Sequence, residues 1–278
     1  MTKKLSLGRI MAYIMTFVLV MYCIFPFLWM LISSFKGKGE IRRPNPSFII
    51  SQPTLDNFKT VLVDAGFTKY ISNSLVVSLS ACIISLVISL LAGYAFSRYY
   101  RQRAVKVSNL FMLLSQMIPG VLLLIPLYIV MRNLGLLDTK MALIIAYTTF
   151  VIPLCTFMLS SGFDNIPKSL EEAAEIDGCS KFGTIWRILI PVMVPTIISV
   201  GLYAFINAWN EFMFGYIFIT TSSNRTLTPA IMLFKGSNTV DWGAIMAASV
   251  VAVIPMAVIF LFLQKYFISG LMSGAVKG

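Results

Sequence analysis

A chain of 278 residues with 58% hydrophobic and 12% charged side chains lies outside the balance of soluble domains. It carries no histidine, which removes Ser-His-Asp and Cys-His nucleophiles and imidazole metal ligands together, and its four cysteines, Cys23, Cys82, Cys155 and Cys179, show neither disulfide nor zinc spacing. The net charge of +11 does not call for nucleic acid, because the basic residues cluster at the ends of apolar runs, where membrane orientation explains them.

The apolar runs predict an all-α, polytopic membrane protein, a single transmembrane domain over 1–278 with about six spans of roughly 20 residues each. In the bilayer core a backbone must close its hydrogen bonds internally, and a barrel would show short alternating segments instead of long apolar runs. The expected spans are 11–32, 71–97, 108–131, 140–162, 188–219 and 244–267. The first is too long for the apolar part of a signal peptide and has no small-residue cleavage site after it, so it is expected to be retained. Bulky Met21 and Tyr22 before Cys23 argue against a lipoprotein acceptor.

Lys3, Lys4 and Arg9 before the first span, and Arg98, Arg101, Arg103 and Lys106 between the second and third, place those segments in the cytoplasm. An even number of spans then puts both termini inside. The segment 34–70 runs against this pattern, since it is placed outside yet carries Lys36, Lys38, Arg42, Arg43, Lys59 and Lys69. Within the spans, Asn73 and Gln116 are minor candidates for a pathway, and Pro119, Pro126, Pro153 and Pro255 read as kinks.

Between the fourth and fifth spans lies a polar insert, about 163–191. Ser169 as N-cap and Glu172 three residues later form the capping-box pattern behind Pro167, predicting a helix from about Leu170. Ala173 and Ala174 favour that helix, Asp177 lies near its end, and Gly178 supplies the left-handed residue that closes it. An isolated helix of about two turns is marginal in water and needs a surface to pack on.

The fifth span carries Tyr203, Asn207, Asn210, Glu211 and Phe214 at helical spacing, expected on one face. An intramembrane carboxylate is costly unless it faces protein or water, so Glu211 is expected to face the pathway or a partner helix. Tyr147, Tyr203, Phe205 and Trp209 offer aromatic faces for sugar rings, or ordinary packing. No segment fits the phosphate loop G-x-x-x-x-G-K-[ST]; Gly37-Lys38-Gly39 and the stretch Gly178 to Gly183 lack its order.

Glu172-Ala173-Ala174, three residues, Gly178, nine residues, then Ile188, one residue, Ile190 and Pro191 resemble the cytoplasmic loop of the membrane-spanning subunits of bacterial ABC importers. Ile190 stands where that family usually has Leu. The resemblance implies that Ser169, Glu172, Ala173, Ala174, Asp177, Gly178, Ile188 and Pro191 belong to a cytoplasmic coupling helix and its flank, seated in a cleft of a separate ATPase. Trp209-Asn-Glu-Phe212, the external stretch 221–243 and the tail about 268–278 are similar to the second permease of maltose-type carbohydrate importers. In that family the external stretch meets a solute-binding protein and the tail inserts between paired ATPases. The implied partners are a second, non-identical permease, two ATPase subunits that bind ATP and Mg, an extracytoplasmic solute-binding protein, the lipid bilayer and a carbohydrate, in the bacterial inner membrane. No catalytic, cofactor or metal residue is expected in this chain. The alternative is an ion-coupled carrier or channel subunit in which Glu211 is the ion site.

Overall fold

A computed structural model describes residues 7–236 and 239–275, with side chains up to Lys265. Its elements are helices. In chain order they are α1 (Leu7–Ser34), α2 (Lys38–Ile41), α3 (Asp56–Lys59), α4 (Phe67–Arg98), α5 (Arg103–Gln116), α6 (Leu124–Asn133), α7 (Lys140–Asp164), α8 (Lys168–Ile176), α9 (Lys181–Thr184), α10 (Ile190–Val192), α11 (Val194–Asn210), α12 (Met213–Phe218), α13 (Leu227–Ala230) and α14 (Trp242–Ala275). The described residues pack as two units: the chain up to Thr68 with Ile231–Pro255, and Lys69–Ala230 with the chain from Met256 on.

Four helices, α1, α4, α7 and α14, are each long and apolar enough to cross a bilayer. The other two expected spans are bent. Residues 108–131 were expected as one helix, but α5 stops at Gln116 and the chain turns by 97° before α6. Pro119 is the physical reason, since its ring disfavours the helical conformation of the residue before it. Residues 188–219 likewise divide. An 82° bend separates Lys181–Val192 from α11, and the helix stops again at Asn210. Here a π turn, Ile185–Leu189, directly precedes Pro191, which has no N–H to give and crowds the carbonyl four residues back.

In the first unit, Asn57 is buried and its Nδ2 donates to the carbonyls of Ser34 and Lys36, both at 2.8 Å. A Cβ at Gly243 would sit 2.4 Å from Asn57 Oδ1, so the start of α14 approaches closely only because that residue is glycine. Three basic residues of the 34–70 segment are held here. Lys36 is buried, donates to the Ser47 carbonyl and lies over the Trp29 ring; Lys38 pairs with Asp241 at 2.8 Å; Arg42 donates to the Val240 carbonyl at 3.2 Å.

The second unit is built around α7, whose Ala142, Leu143, Ala146, Tyr147, Cys155 and Leu159 are all buried. Thr139 caps its first turn by accepting from the Ala142 N–H. One face of α4 is made of small residues, Ser74, Ser78, Ala81, Cys82, Ser85 and Ser89, all buried, and the helix meets α7 at Ser89 and Gly93. Small side chains let two backbones come close, which is how helices gain contact where lipid provides no hydrophobic drive. At the tightest point a Cβ on Gly93 would meet the Leu159 Cβ and the Ser160 backbone nitrogen at 3.0 Å. Gly201 of α11 makes the other close approach, its carbonyl accepting from the Cys82 thiol at 3.2 Å. The stretch 221–243, expected as a polar external loop, is partly buried helix: Leu227, Pro229, Ala230 and Phe234 are covered, and residues 237–238 lie outside the described ones. Residues 268–275, expected as tail, continue the backbone of α14, and 276–278 lie outside the described residues.

Replacing Gly93 by valine should force α4 and α7 apart, because the obstacle at 3.0 Å is backbone. Overpacking of this kind costs about 1–3 kcal/mol. Thermal unfolding of the detergent-solubilised protein should show a lowered midpoint for Gly93→Val and a smaller drop for Gly93→Ala.

Candidate functional site

The polar insert forms a real helix, α8, but it begins otherwise than its sequence pattern predicts. Its first residue is Lys168 and its N-cap is Pro167, with no side-chain cap hydrogen bond, so Ser169 and Glu172 do not form the capping box. Pro167 is extended and fixes φ in advance, which starts the helix one turn position before Ser169 can cap it. The other end matches the pattern. Gly178 has φ +83°, its N–H donates to the Glu175 carbonyl at 3.0 Å, and the Cys179 N–H reaches back to Ala174 at 2.9 Å, the paired bonds of a Schellman closure.

Ser169, Glu172, Ala173, Asp177 and Gly178 are exposed, whereas Ala174 is buried against the body of the unit. Ile188 is half-buried and Pro191 exposed, one on the π turn and one at the start of α10. Beside this surface lie apolar side chains that sequence pattern alone did not single out. Ile176 is 86% exposed and Phe182 65%, and Phe182 packs at a tilt on half-exposed Trp186 with ring centres 5.8 Å apart. Their signal was bulky apolar residues in a polar insert, Ile176 just before Gly178 and Phe182 and Trp186 after it.

The helix is fastened from beneath. Glu171 accepts from Arg98 Nε at 2.6 Å and from the Tyr94 hydroxyl at 2.9 Å, and Arg98 also donates to the Ile166 carbonyl at 3.1 Å. The pair is largely out of water, with side chains 8% and 16% exposed. Arg98 had been read only as an orientation signal.

The second cluster is at Glu211. Here α11 ends at Asn210 and Glu211 is extended, so Tyr203, Asn207 and Glu211 do not continue on one helical face to Phe214, which belongs to α12. The Glu211 carboxylate accepts from the N–H groups of Phe214 and Gly215, at 3.1 and 3.2 Å, and from the Tyr147 hydroxyl at 2.7 Å. Its backbone carbonyl accepts from Thr228 Oγ1 at 2.5 Å. A carboxylate in the first turn of a helix satisfies amides that would otherwise be orphaned.

Tyr203, Asn207 and Glu211 line a cavity of about 270 Å³ with Gly120, Val121 and Phe150. Asn207 gives its Nδ2 to the Tyr203 carbonyl at 2.8 Å. Gln116, at the end of α5, and Asn210 are exposed and are not among the lining residues. Phe205 and Trp209 are buried and stack on each other, whereas Tyr147, also buried, reaches the cavity lining with its hydroxyl given to Glu211. Asn73 lies elsewhere, its Nδ2 donating to the carbonyls of Ser223 and Arg225, each at 2.9 Å. Among the described residues no group of three or more Cys, Asp and Glu could hold a metal ion.

At the same end, Asp138 accepts from the N–H groups of Thr220 and Thr221, both at 2.9 Å. These bonds, that from Thr221 first, hold its carboxyl below the usual carboxylate range.

An apolar helical chain with several helices long enough to cross a bilayer, and an exposed, fastened helix between two candidate spans, has the architecture of a polytopic membrane protein. The chain belongs to the family described as binding-protein-dependent transport system inner membrane component, whose profile matches residues 85–272. It is 35% identical over 271 residues to the sulfoquinovosyl glycerol transport system permease protein of Agrobacterium fabrum, covering 98% of this chain and 95% of that one. It is 36% identical over 280 residues to the trehalose/maltose transport system permease protein of Thermococcus litoralis, with 98% of each covered. The diacetylchitobiose uptake system permease protein of Streptomyces coelicolor is 32% identical over 276 residues, covering 99% of this chain and 100% of the relative. Among solved structures, a chain of a bacterial ABC transporter involved in the import of the acidic polysaccharide alginate has the same fold, with a TM-score of 0.82 at 20% identity over 96% of this chain and 100% of that one.

Two outcomes follow from this geometry. Gly178→Val should fray the end of α8, because the left-handed backbone costs a branched residue about 1–2 kcal/mol although no atom lies within 4 Å of the added Cβ; faster amide exchange at Asp177 to Cys179 is the check. Asp138 titrates lower folded than unfolded, so its clamp is complete above the ordinary carboxylate pKa of about 3.9 and is lost as pH falls through the folded value. Protease nicking within 219–224 should therefore be slow at neutral pH and fast in strong acid, and Asp138→Asn should show the fast rate already at neutral pH.

Proposed function

We propose that this chain is the permease subunit of a bacterial ABC importer that forms half of the translocation pathway for a carbohydrate, probed best as an oligosaccharide. Supporting the substrate class are the relatives, whose names specify trehalose and maltose, diacetylchitobiose and sulfoquinovosyl glycerol. The single observation that carries the coupling role is α8, a short helix closed by Gly178, fastened through Glu171 and exposed on its outer face beside Ile176, Phe182 and Trp186. A helix of nine residues persists only because it is packed, and a packed exposed helix moves as a rigid handle.

In this reading two separate ATPase subunits bind ATP and Mg and grip α8, with Glu172, Ala173 and Asp177 on the gripped face. ATP-driven closure of the ATPases shifts the spans between inward-open and outward-open forms, which requires that the ATPases hold one form more tightly than the other. A second, non-identical permease supplies the other half of the pathway, and an extracytoplasmic binding protein delivers the sugar. The chain spans the inner membrane with both termini in the cytoplasm, on the strength of Lys3, Lys4, Arg9 and the basic residues 98–106. The ion-coupled alternative has less support, because both Glu211 oxygens already serve amides and a hydroxyl.

The test is reconstitution of the chain with its second permease, ATPases and binding protein in proteoliposomes, followed by uptake of maltose, trehalose and chitobiose. ATP-dependent uptake of at least one is expected, and no uptake together with no binding of the ATPases to the chain would sink the proposal. Glu172→Lys should leave insertion intact and lower uptake by about an order of magnitude, the loss expected of a charge pair reversed at an interface.

A further inference from the structure

The second unit contains an unbroken rod with both of its ends tied to segments distant in sequence. This rod is α4, a helix of 32 residues with no proline inside. Its last turn holds α8 and the residues before it: Arg98 and Tyr94 bind Glu171, Arg98 binds the Ile166 carbonyl, and Ser97 donates to Asp164. Its first turns hold the segment that follows α12: Asn73 binds the carbonyls of Ser223 and Arg225, and Ser74 Oγ accepts from the Leu227 N–H at 2.8 Å. From Asn73 to Arg98 the helix runs about 37 Å at 1.5 Å per residue.

Each attachment is costly to break. Asn73 and Ser74 are buried, so losing the Asn73 amide leaves two carbonyls without their donor, and losing the Ser74 hydroxyl leaves the buried Leu227 N–H without its acceptor. The Arg98–Glu171 pair is nearly dry, and removing one partner leaves an uncompensated charge. Between its ends α4 is braced on α7 by the Gly93 contact and by the Ser89 hydroxyl, which donates to the Ile152 carbonyl at 3.2 Å. It has little freedom to bend in between.

We propose that α4 is a strut that links the coupling helix to the segment 220–227, and that Arg98 and Asn73 are its positioning residues. Resting on the reading of α8 as the docking helix, this adds a second route for motion beside the direct connection through Pro191 into α11. A displacement of α8 is carried by Arg98 along α4 to the carbonyls of Ser223 and Arg225. Those residues lead directly into Thr228, whose hydroxyl holds the Glu211 carbonyl. A push at α8 thus reaches the closure between α11 and α12 from behind as well as through the chain.

Coupling between two sites is reciprocal, so loosening either end must loosen the other. The experiment is amide hydrogen exchange of the full chain in nanodiscs, compared for the wild type, Arg98→Met and Asn73→Ala. Arg98→Met should speed exchange at Thr220, Thr221 and Leu227, and Asn73→Ala should speed it at Leu170 to Ile176, each by about fivefold or more, the lower end of ordinary site-to-site coupling. A merely local role accelerates only the mutated end, and that outcome in both variants overturns the strut. The buried amides of Tyr147 and Thr156 in α7 serve as internal standard; if they accelerate as well, Arg98→Lys, which keeps the charge but loses the forked contact to Glu171 and Ile166, replaces Arg98→Met and the same comparison decides. The measurement needs neither ATP nor sugar, so its failure is distinguishable from failure of the importer reading.

Discussion

In hydrocarbon a backbone amide or carbonyl without a partner has no water to turn to, and each unsatisfied group costs several kcal/mol in order of magnitude. Wherever this chain interrupts a span, the protein itself must close the break. The interruption after Asn210 is closed by a side chain: Glu211 gives its carboxylate to the first amides of α12 and to Tyr147, and its carbonyl to Thr228. Four partners from three stretches of sequence converge on one residue. That convergence fixes where α12 begins, and with it the cluster of Tyr147, Phe214 and Phe218 that packs against Met131 and Leu143.

The same constraint explains why a charge is tolerated at that depth. A carboxylate at a helix start answers the orphaned amides and meets the positive end of the helix dipole, so its desolvation is offset locally. An ion or proton site would need an oxygen free to exchange partners. Here Oε1 serves one amide, and Oε2 an amide and a hydroxyl. Glu211 thus closes the broken helix and also lines the cavity beside it.

Much of this was legible from the sequence, and the parts that were not have a common cause. Apolar runs located α1, α4 and α7 to within about four residues at each end, because span length follows from bilayer thickness whatever the tertiary contacts, while α14 begins as expected and runs eight residues further, into the expected tail. Gly178 was legible because a left-handed closure leaves few alternatives to glycine. The capping box was misread because Pro167 and Ser169 compete to start one helix, and the choice depends on how α8 lies against Ala174's neighbours. The bends at residues 117–119 and at Met193 were missed as breaks, since proline in a span signals a kink but does not give its angle. Tertiary partners decided the remainder: nothing local in Arg98 or Asn73 announces Glu171 or Ser223. The excess of basic residues in 34–70 has the same explanation. Lys36, Lys38 and Arg42 each hold a particular carbonyl, ring or carboxylate, so a count of charges there mixes contacts of the fold with signals of orientation.

What the cavity beside α11 can discriminate follows from which polar atoms remain. Glu211 is engaged, and Asn207 has given its amide nitrogen to Tyr203, leaving the Asn207 oxygen and the Tyr203 hydroxyl as the neutral groups able to meet a solute. The rest of the lining is apolar or featureless, Gly120, Val121, Phe150 and Met213 among it, apart from Tyr147, whose hydroxyl is given to Glu211. Two neutral groups on an apolar wall suit a hydroxylated ring, and the Glu211 carboxylate beside them, held by neutral donors, offers nothing to attract an anion.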